Sequence, residues 1–549
     1  MQHFQAATAY GSGSLGGKGS GLVCLNEWGL PQAATLPCHI LTTDFFDRYI
    51  ERRGSLGDED ETVAASVLEQ LGDVPISVRS SATNESGVQG RDGWAVHAGE
   101  NISFMLPNNH PDFGVRVAQL TSAVRHIYDH FIANHPGDCR EKMAIVVNPI
   151  PGLLDDTLAG PFFYPFVSGV ANSFFPYALK VQDPSEGYAR VAFGHGYATV
   201  LDDFPVVPVA TIRHPLPLAL LRTGRGQQFF YALDMTRNSD LCGEELETMK
   251  KLHVRLAGFD RVKLLGVERQ TVTFEELVQK DRFGFRSGLE SIMEAIRARA
   301  GPHFQIEFVF NLNSRERPSG EGIFHVVQLT VLPQIGFDAI AMPDCARHTY
   351  LAIANLQGHG IRRGVKHAVV LSPFLYEKQQ HEQVRARLAA INVEMRRRHE
   401  AYLVIVPGRL GSRNPDWGLF VEYKDVDRAA AIFEYGVDIA GRVEPLPEED
   451  GTTGGIYGSH FLYMVAGGFA EDQRRMQARM YGTQGTHFFT NIMSNNVVYG
   501  YVAPGRDDID PWFFTPSSTN DPLYVLEFPA PVAIYADSVN QRCVVVAEN

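Results

Sequence analysis

Four stretches of the chain set apolar residues at helical spacing. Val63, Val67 and Leu71 recur within residues 59–71. Val117, Leu120, Val124, Ile127 and Phe131 follow in a longer run, Leu289, Ile292, Met293 and Ile296 mark 287–300, and Val384, Leu388, Ile391 and Met395 form the fourth. This spacing predicts amphipathic helices, each facing a core. A further helix is expected over 44–52, capped by Thr43 or Asp44. Between the helices lie short apolar runs that read as strands, at 39–42, 76–78, 102–106, 143–147, 305–310, 323–329 and 402–406. ARVAFGHGYATV reads as a strand, a glycine-flanked His195 and a second strand. QIEFVF and IFHVVQL are joined by a polar loop, so a hairpin is expected that sets Glu307 and Gln328 on neighbouring strands. Helices and strands intermix along the chain, which places it in the α+β class.

Two polar interruptions carry candidate chemistry. PISVRSSATNESG, from Pro75 to Gly87, reads as a strand edge running into a loop. Arg79 offers a planar fork of donors suited to phosphate oxygens, and Ser80, Ser81 and Thr83 add hydroxyls. A surface strand with an ion-paired arginine is the plainer alternative. GSGSLGGKGSG, residues 11–21, is glycine-rich and opens onto the apolar LVCL. A glycine-rich loop leading into a helix presents backbone N–H groups at the positive helix end, and Lys18 adds a cation. It is not a Walker A loop, because no GxxxxGK followed by Ser or Thr occurs. A flexible turn is the alternative there.

Composition narrows the class. A chain of 549 residues is long enough for three to four folding units. The net charge of -14 argues against a general nucleic-acid binder, whose domains carry a basic face. Cys24, Cys38, Cys139, Cys242, Cys345 and Cys543 are scattered without a CxxC pair, so free thiols in a reducing compartment are expected. Neither a signal peptide nor an apolar run long enough for a bilayer is evident, and a cytoplasmic, soluble protein with no membrane partner is the expectation.

LGGKGSGL, ISVRSSATNESG, AGEN, EKMAIVVNPIPG, SGVANS, FGHGY, QIEF and VVQL follow one another in this order. In order and rough spacing they resemble the nucleotide-binding domain of phosphoenolpyruvate synthase and pyruvate phosphate dikinase, over about residues 8–335. The resemblance implies an ATP-grasp fold, in which two α+β lobes clamp ATP. It implies a first lobe over 1–210, a second lobe with the metal-ligand hairpin over 211–335, and a smaller α/β domain over 336–549. By the same resemblance Lys18 and Arg79 hold the phosphates of ATP, Glu307 and Gln328 bind Mg²⁺, and Asn148, Pro149 and Ile150 touch the adenine. Glu and Gln oxygens suit that hard cation.

The chain departs from the family in two places. Dikinases continue the glutamine as QARP, whereas here Gln328 is followed by Leu329, Thr330 and Val331, so Thr330 stands where an arginine is expected. No recognisable phosphohistidine domain follows, and residues 336–549 are too few for that domain plus a phosphoenolpyruvate barrel of ~250 residues.

The C-terminal region has its own signals. The helix around Leu388 carries Arg385, Arg387, Arg396, Arg397 and Arg398, read as a solvated basic face. PGRLGSRNPDWG follows a strand and offers Arg409, Ser412 and Arg413 to an anion. GGIYGSHF and YGTQGTHF echo each other and set His460 and His487 in similar surroundings. The second is faintly similar to the dikinases' phosphohistidine segment, which makes His487 a candidate phosphoryl carrier or general base. A group of bacterial proteins similar to phosphoenolpyruvate synthase also pairs this ATP domain with a PGRxGS loop and a QGTHFF segment. The resemblance therefore implies an ATP-dependent phosphotransferase acting on a small-molecule acceptor with Mg-ATP. Two alternatives stand beside it: an ATP-grasp ligase that activates a carboxylate as acyl phosphate, and a nucleotide-binding regulator without turnover.

Overall fold

The computed structural model describes residues 7–83, 101–135, 141–174, 187–200, 207–211, 214–215, 227–236, 248–268, 271–313, 320–332, 338–343, 348–354, 356–372, 378–407, 409–411, 418–435, 488, 491–492, 495–502, 507–515 and 521–548. The chain mixes helices with strands and divides into two compact units, with the boundary between Leu332 and Pro333. Among the described residues no helix is long and apolar enough to cross a membrane. Cys24, Cys38 and Cys543 are free thiols, and burial pushes the Cys38 thiol up to about 12.

The first unit opens with strands β1 (Ala7–Tyr10), β2 (Cys38–Leu41), β3 (Ile76–Ala82), β4 (Ser103–Leu106) and β5 (Met143–Pro149). They form a five-stranded sheet in the order β1-β2-β5-β3-β4, parallel only at β1/β2. Ile76, Val78, Ile145 and Val147 pack with side chains of three helices, α2 (Thr43–Glu51), α3 (Asp58–Leu71) and α4 (Phe113–Asn134). The predicted apolar stripe of α4 is the face it buries, since Leu120, Val124, Ile127 and Phe131 are all inaccessible. Asp58, Glu59, Asp60 and Glu61 fill the first turn of α3, where negative charge offsets the helix dipole. β3 differs from expectation. It is no surface edge, because it runs between β5 and β4 with all seven residues buried.

Helix α1 (Gly16–Trp28) explains the glycine-rich segment by close packing. Gly16 has φ +65°, and a Cβ there would fall on the carbonyl oxygen of Ser81. A Cβ at Gly21 would come within 2.8 Å of the Leu329 oxygen. The glycines thus let one helix press against β3 on one side and the strand holding Leu329 on the other. Gly16→Ala is expected to destabilise the unit by about 2–3 kcal/mol, from left-handed strain of roughly 1–2 kcal/mol plus displacement of the backbone it meets. A thermal melt within 1 °C of the parent would contradict this.

The next strands are β6 (Leu153–Asp155), β7 (Phe162–Tyr164), β8 (Val167–Asn172), β9 (Tyr188–Phe193), β10 (Val207–Thr211), β11 (His214–Pro215), β12 (Phe229–Asp234), β13 (Met249–His253), the short ribbon β14 (Val267–Glu268) and β15 (Thr271–Val272), then β16 (Phe304–Asn311) and β17 (Ile323–Val331). An antiparallel six-stranded sheet runs β11-β10-β9-β8-β16-β17, and a four-stranded one runs β13-β12-β7-β6. The division expected at 210/211 is therefore not a boundary: the six-stranded sheet takes strands from both sides of it. The sheets change near residue 150 instead. One face of the six-stranded sheet is apolar, with Ile306, Phe308 and Phe310 against Leu289, Ile292, Met293 and Ile296 of the helix Phe285–Ala300. Gly169 leaves room for the Phe308 ring. The second strand expected in ARVAFGHGYATV is instead a short helix, Tyr197–Val200, entered through a turn at Gly194 with φ +86°.

The second unit is a mixed sheet of β18 (Thr349–Ala354), β19 (Leu356–Gln357), β20 (Gly360–Leu371), β21 (Tyr402–Pro407), β24 (Ala429–Tyr435), β25 (Val498–Val502), β26 (Asp508–Ile509), β27 (Leu523–Asp537) and β28 (Arg542–Ala547), with a two-stranded ribbon of β22 (Arg409–Leu410) and β23 (Gly418–Leu419). Within the nine-stranded sheet, among the described residues, β20, β21, β24 and β25 run parallel and the other pairings are antiparallel, so the α/β character expected here belongs to that half of the sheet; the β22/β23 ribbon is parallel as well. The helix His381–Arg398 joins β20 to β21. Its arginines are ion-paired: Arg385 with Asp425, Arg396 with Asp427, Arg397 and Arg398 with Glu394. Those pairs hold the Glu394 carboxyl down at about 2, and the face reads as a solvated, self-neutralised surface.

Candidate functional site

The hairpin register is the foundation. Glu307 of β16 and Gln328 of β17, expected on neighbouring strands, are direct cross-strand partners. Val170 lies opposite Glu307 on β8, and Arg190 opposite Val170 on β9, so Gln328, Glu307, Val170 and Arg190 form one row. Residues in such a row share a face of the sheet. The row two positions along holds Thr330, Gln305, Asn172 and Tyr188 on that same face. Gln305 Nε2 donates to Asn172 Oδ1 at 2.9 Å, and Gln328 Nε2 donates to Thr330 Oγ1 at 3.3 Å. The sheet is thus apolar toward its helix and polar on the other side, although the polar side is also largely buried.

Arg79 reaches this polar face from the five-stranded sheet. One terminal nitrogen, Nη2, donates to Glu307 Oε2 at 2.9 Å and to Gln328 Oε1 at 2.6 Å, while Nη1 donates to the Val327 carbonyl at 2.6 Å. Only 10% of the arginine side chain is exposed, against 30% for Glu307, so the carboxylate is the solvent-facing member. Arg79 therefore meets two side chains that each lie more than two hundred positions further along the chain. Thr330 orients the glutamine, because its hydroxyl accepts the amide N–H of Gln328 and so turns the amide oxygen toward Arg79.

Lys18 sits in the first turns of α1, half-buried, with Nζ donating to Ser80 Oγ at 3.5 Å. The serines that were expected to surround an anion have local partners. Ser81 Oγ donates to the Leu15 carbonyl at 2.9 Å and accepts from Gly19 N–H at 3.0 Å. The loop ahead of α1 is tied down by Asp44, whose carboxylate accepts from Ser12 N–H at 2.7 Å and Gly13 N–H at 2.9 Å. These bonds hold the Asp44 carboxyl below its ordinary range.

Asn148, Pro149 and Ile150 close β5. Asn148 is buried and its Oδ1 accepts from Ser77 Oγ at 2.9 Å, and Pro149 pairs with Ile76. Ile150 enters a small apolar cluster with Met105, Ala192, Tyr231, Leu233 and Met249, which draws on both halves of the unit. Beside that cluster lies His195, a residue the pattern GHG made visible without assigning it a role. Its backbone N–H donates to the Tyr231 carbonyl at 2.9 Å, and its Nδ1 accepts from Tyr197 N–H at 3.3 Å. Burial, reinforced by the charge of Arg79, lowers the imidazole from 6.5 to about 4. Unfolding therefore lets it take up a proton wherever the pH lies between those values. Its contribution to stability is complete above about 6.5 and is lost as the pH falls toward about 4. His195→Gln is expected to flatten the acid limb of a urea-unfolding pH profile in that window, and an unchanged slope would count against it.

No family model matches the chain, and no curated protein matches it significantly. The site stands on its own geometry.

Of the residues singled out from sequence, Arg79, Glu307 and Gln328 meet directly. Lys18 and Asn148 to Ile150 belong to the same unit, with Lys18 bonded to the neighbour of Arg79. His460, His487, Ser412 and Arg413 lie outside the described residues. Arg190, Asn172 and Gln305 were missed, because only the pairing of β8, β9 and β16 shows that they share a face with Glu307.

Proposed function

We propose that the chain is an ATP-dependent phosphotransferase of the dikinase-like ATP-grasp type, with Mg-ATP bound where Arg79 meets Glu307 and Gln328 and a small molecule as acceptor. The observation that carries the reading is the convergence of two side-chain oxygens, one charged and one neutral, on a single guanidinium nitrogen. Oxygens arranged around a positive centre in that way also suit a hard cation. Mg²⁺ asks for few protein ligands and takes the rest from phosphates and water, so two protein ligands fit it.

Glu307 and Gln328 would hold the metal. Bound there, Mg²⁺ neutralises phosphate charge. Arg79, released from Glu307, pairs its fork with phosphate oxygens, and Lys18 adds a second cation. Ile150 and its apolar neighbours offer a surface for the base. Catalysis of this kind consists mainly of positioning and charge stabilisation. His487 is the proposed carrier if the phosphoryl group passes through the protein.

The deciding experiment is phosphorus NMR of Mg-ATP incubated with the protein and candidate acceptors. AMP plus phosphate indicates dikinase chemistry and ADP indicates a kinase or a ligase. Tight binding without turnover would leave only a regulator, and no binding would remove the proposal.

A further inference from the structure

We propose that His195 is a further residue of this site, acting as a neutral hydrogen-bond donor through Nε2–H to a phosphate oxygen of the nucleotide that Arg79 holds. The inference rests on the ATP reading above and names a residue which that reading does not use.

The geometry begins at the end of β9. Phe193 pairs with Val167 of β8, the strand that three residues later sets Val170 opposite Glu307. Ser168 Oγ donates to the Gly194 carbonyl at 2.8 Å, which fixes the turn to that strand. Gly194 has φ +86°, and a Cβ there would lie 2.9 Å from the Tyr231 oxygen, so only glycine brings the chain this close to β12. The next residue is His195, pinned by its N–H to Tyr231. Its ring meets Tyr197 edge-on at 5.0 Å, and Tyr197 in turn meets Tyr231 at 5.8 Å. Tyr231 and Tyr197 pack with Met105 of the five-stranded sheet, which also supplies Arg79, and with Ile150 just beyond β5. His195 is therefore set on rigid elements where the two sheets adjoin.

The tautomer follows from the hydrogen bonds. Nδ1 accepts from Tyr197 N–H, so its lone pair is committed and the neutral ring carries its hydrogen on Nε2. Among the described residues Nε2 makes no hydrogen bond. The half-buried imidazole stays neutral because its surroundings desolvate it and because Arg79 opposes a second positive charge. A cationic ring would be repelled by the guanidinium. A neutral one can stand beside it and aim its donor at the same anion. The hydrogen on Nε2 also argues against this histidine as a phosphoryl carrier, since attack would need a lone pair at that atom. No proton changes hands in the proposed role.

The test compares the full-length parent with His195→Phe and His195→Gln, titrating Mg-ATP and, separately, adenosine by calorimetry. A donor to phosphate predicts that Phe weakens Mg-ATP by roughly ten-fold, the loss of one hydrogen bond to a charged group. Adenosine binding should be unchanged, and Gln, which keeps an N–H near Nε2, should recover Mg-ATP to within about three-fold of the parent. Phe variants that bind Mg-ATP like the parent, or that lose adenosine and Mg-ATP equally, overturn the inference and leave the ATP reading standing. A parent that binds no Mg-ATP overturns both.

Discussion

Arg79→Ala is expected to weaken Mg-ATP binding by about 100-fold, measured by calorimetry on the full chain. A charge-assisted hydrogen bond contributes about 1.5–3 kcal/mol, and each 1.4 kcal/mol is about tenfold in affinity, so the loss of one phosphate contact spans roughly 10- to 150-fold. The variant should still fold, because Glu307 is the more exposed member of the pair and regains water when the guanidinium goes. Arg79→Lys keeps the charge but not the fork, and should fall between alanine and the parent. Binding within two-fold of the parent in a natively folded alanine variant would remove Arg79 from the phosphate site.

Glu307→Ala is expected to reduce turnover by about 10²- to 10³-fold, the usual cost of deleting one preorganised electrostatic group. The midpoint of the magnesium dependence should rise more than that of ATP, because the carboxylate is the only charged ligand proposed for the metal. Stability should drop as well. Arg79 is buried and would lose its counter-ion, which costs about 3–5 kcal/mol in a fully buried pair and less here, where Glu307 is part-exposed. Glu307→Gln separates the two effects, since it restores a hydrogen-bond acceptor for Arg79 without the charge that a metal needs. A fully active Glu307→Gln enzyme with an unaltered magnesium requirement would exclude the metal assignment.

What was legible in the sequence was local or nearly so. The β16/β17 hairpin could be read because both runs show strand character and a polar stretch separates them; the register that sets Glu307 opposite Gln328 comes from the pairing itself. The helical stripes of α3 and α4 were legible for the same reason. The strand within residues 75–87 was legible, while the loop expected at 84–87 lies outside the described residues; the placement of β3 in the middle of its sheet was not legible, because strand order depends on partners far along the chain. The glycines of GGKGSG pointed to a helix start near Lys18. Their closest neighbours, Ser81 and Leu329, are set by tertiary packing that no local pattern encodes. The short helix at Tyr197–Val200 was read as a strand because YATV favours extended structure. The turn at Gly194 and the bond from His195 N–H to Tyr231 redirect the chain there. The expected lobe boundary at 210 failed for the same reason as β3: β8 and β9 find β16 across a long stretch of sequence.

The bond from Arg79 to the Val327 carbonyl closes a loop of 248 residues. During synthesis at about 5–20 residues per second, roughly 12–50 s separate the appearance of the arginine from that of its partner. Throughout that interval a nascent chain holds a cation in a strand whose other residues are suited to burial, and α1 lacks the β17 backbone that its glycines admit. The five-stranded sheet can assemble early around α2, α3 and α4, yet its charged centre lacks the Glu307 carboxylate until β16 leaves the ribosome and the Val327 and Gln328 oxygens until β17 follows. Truncations ending before Phe304 should therefore bind holdase chaperones, and those ending after Leu332 should release them.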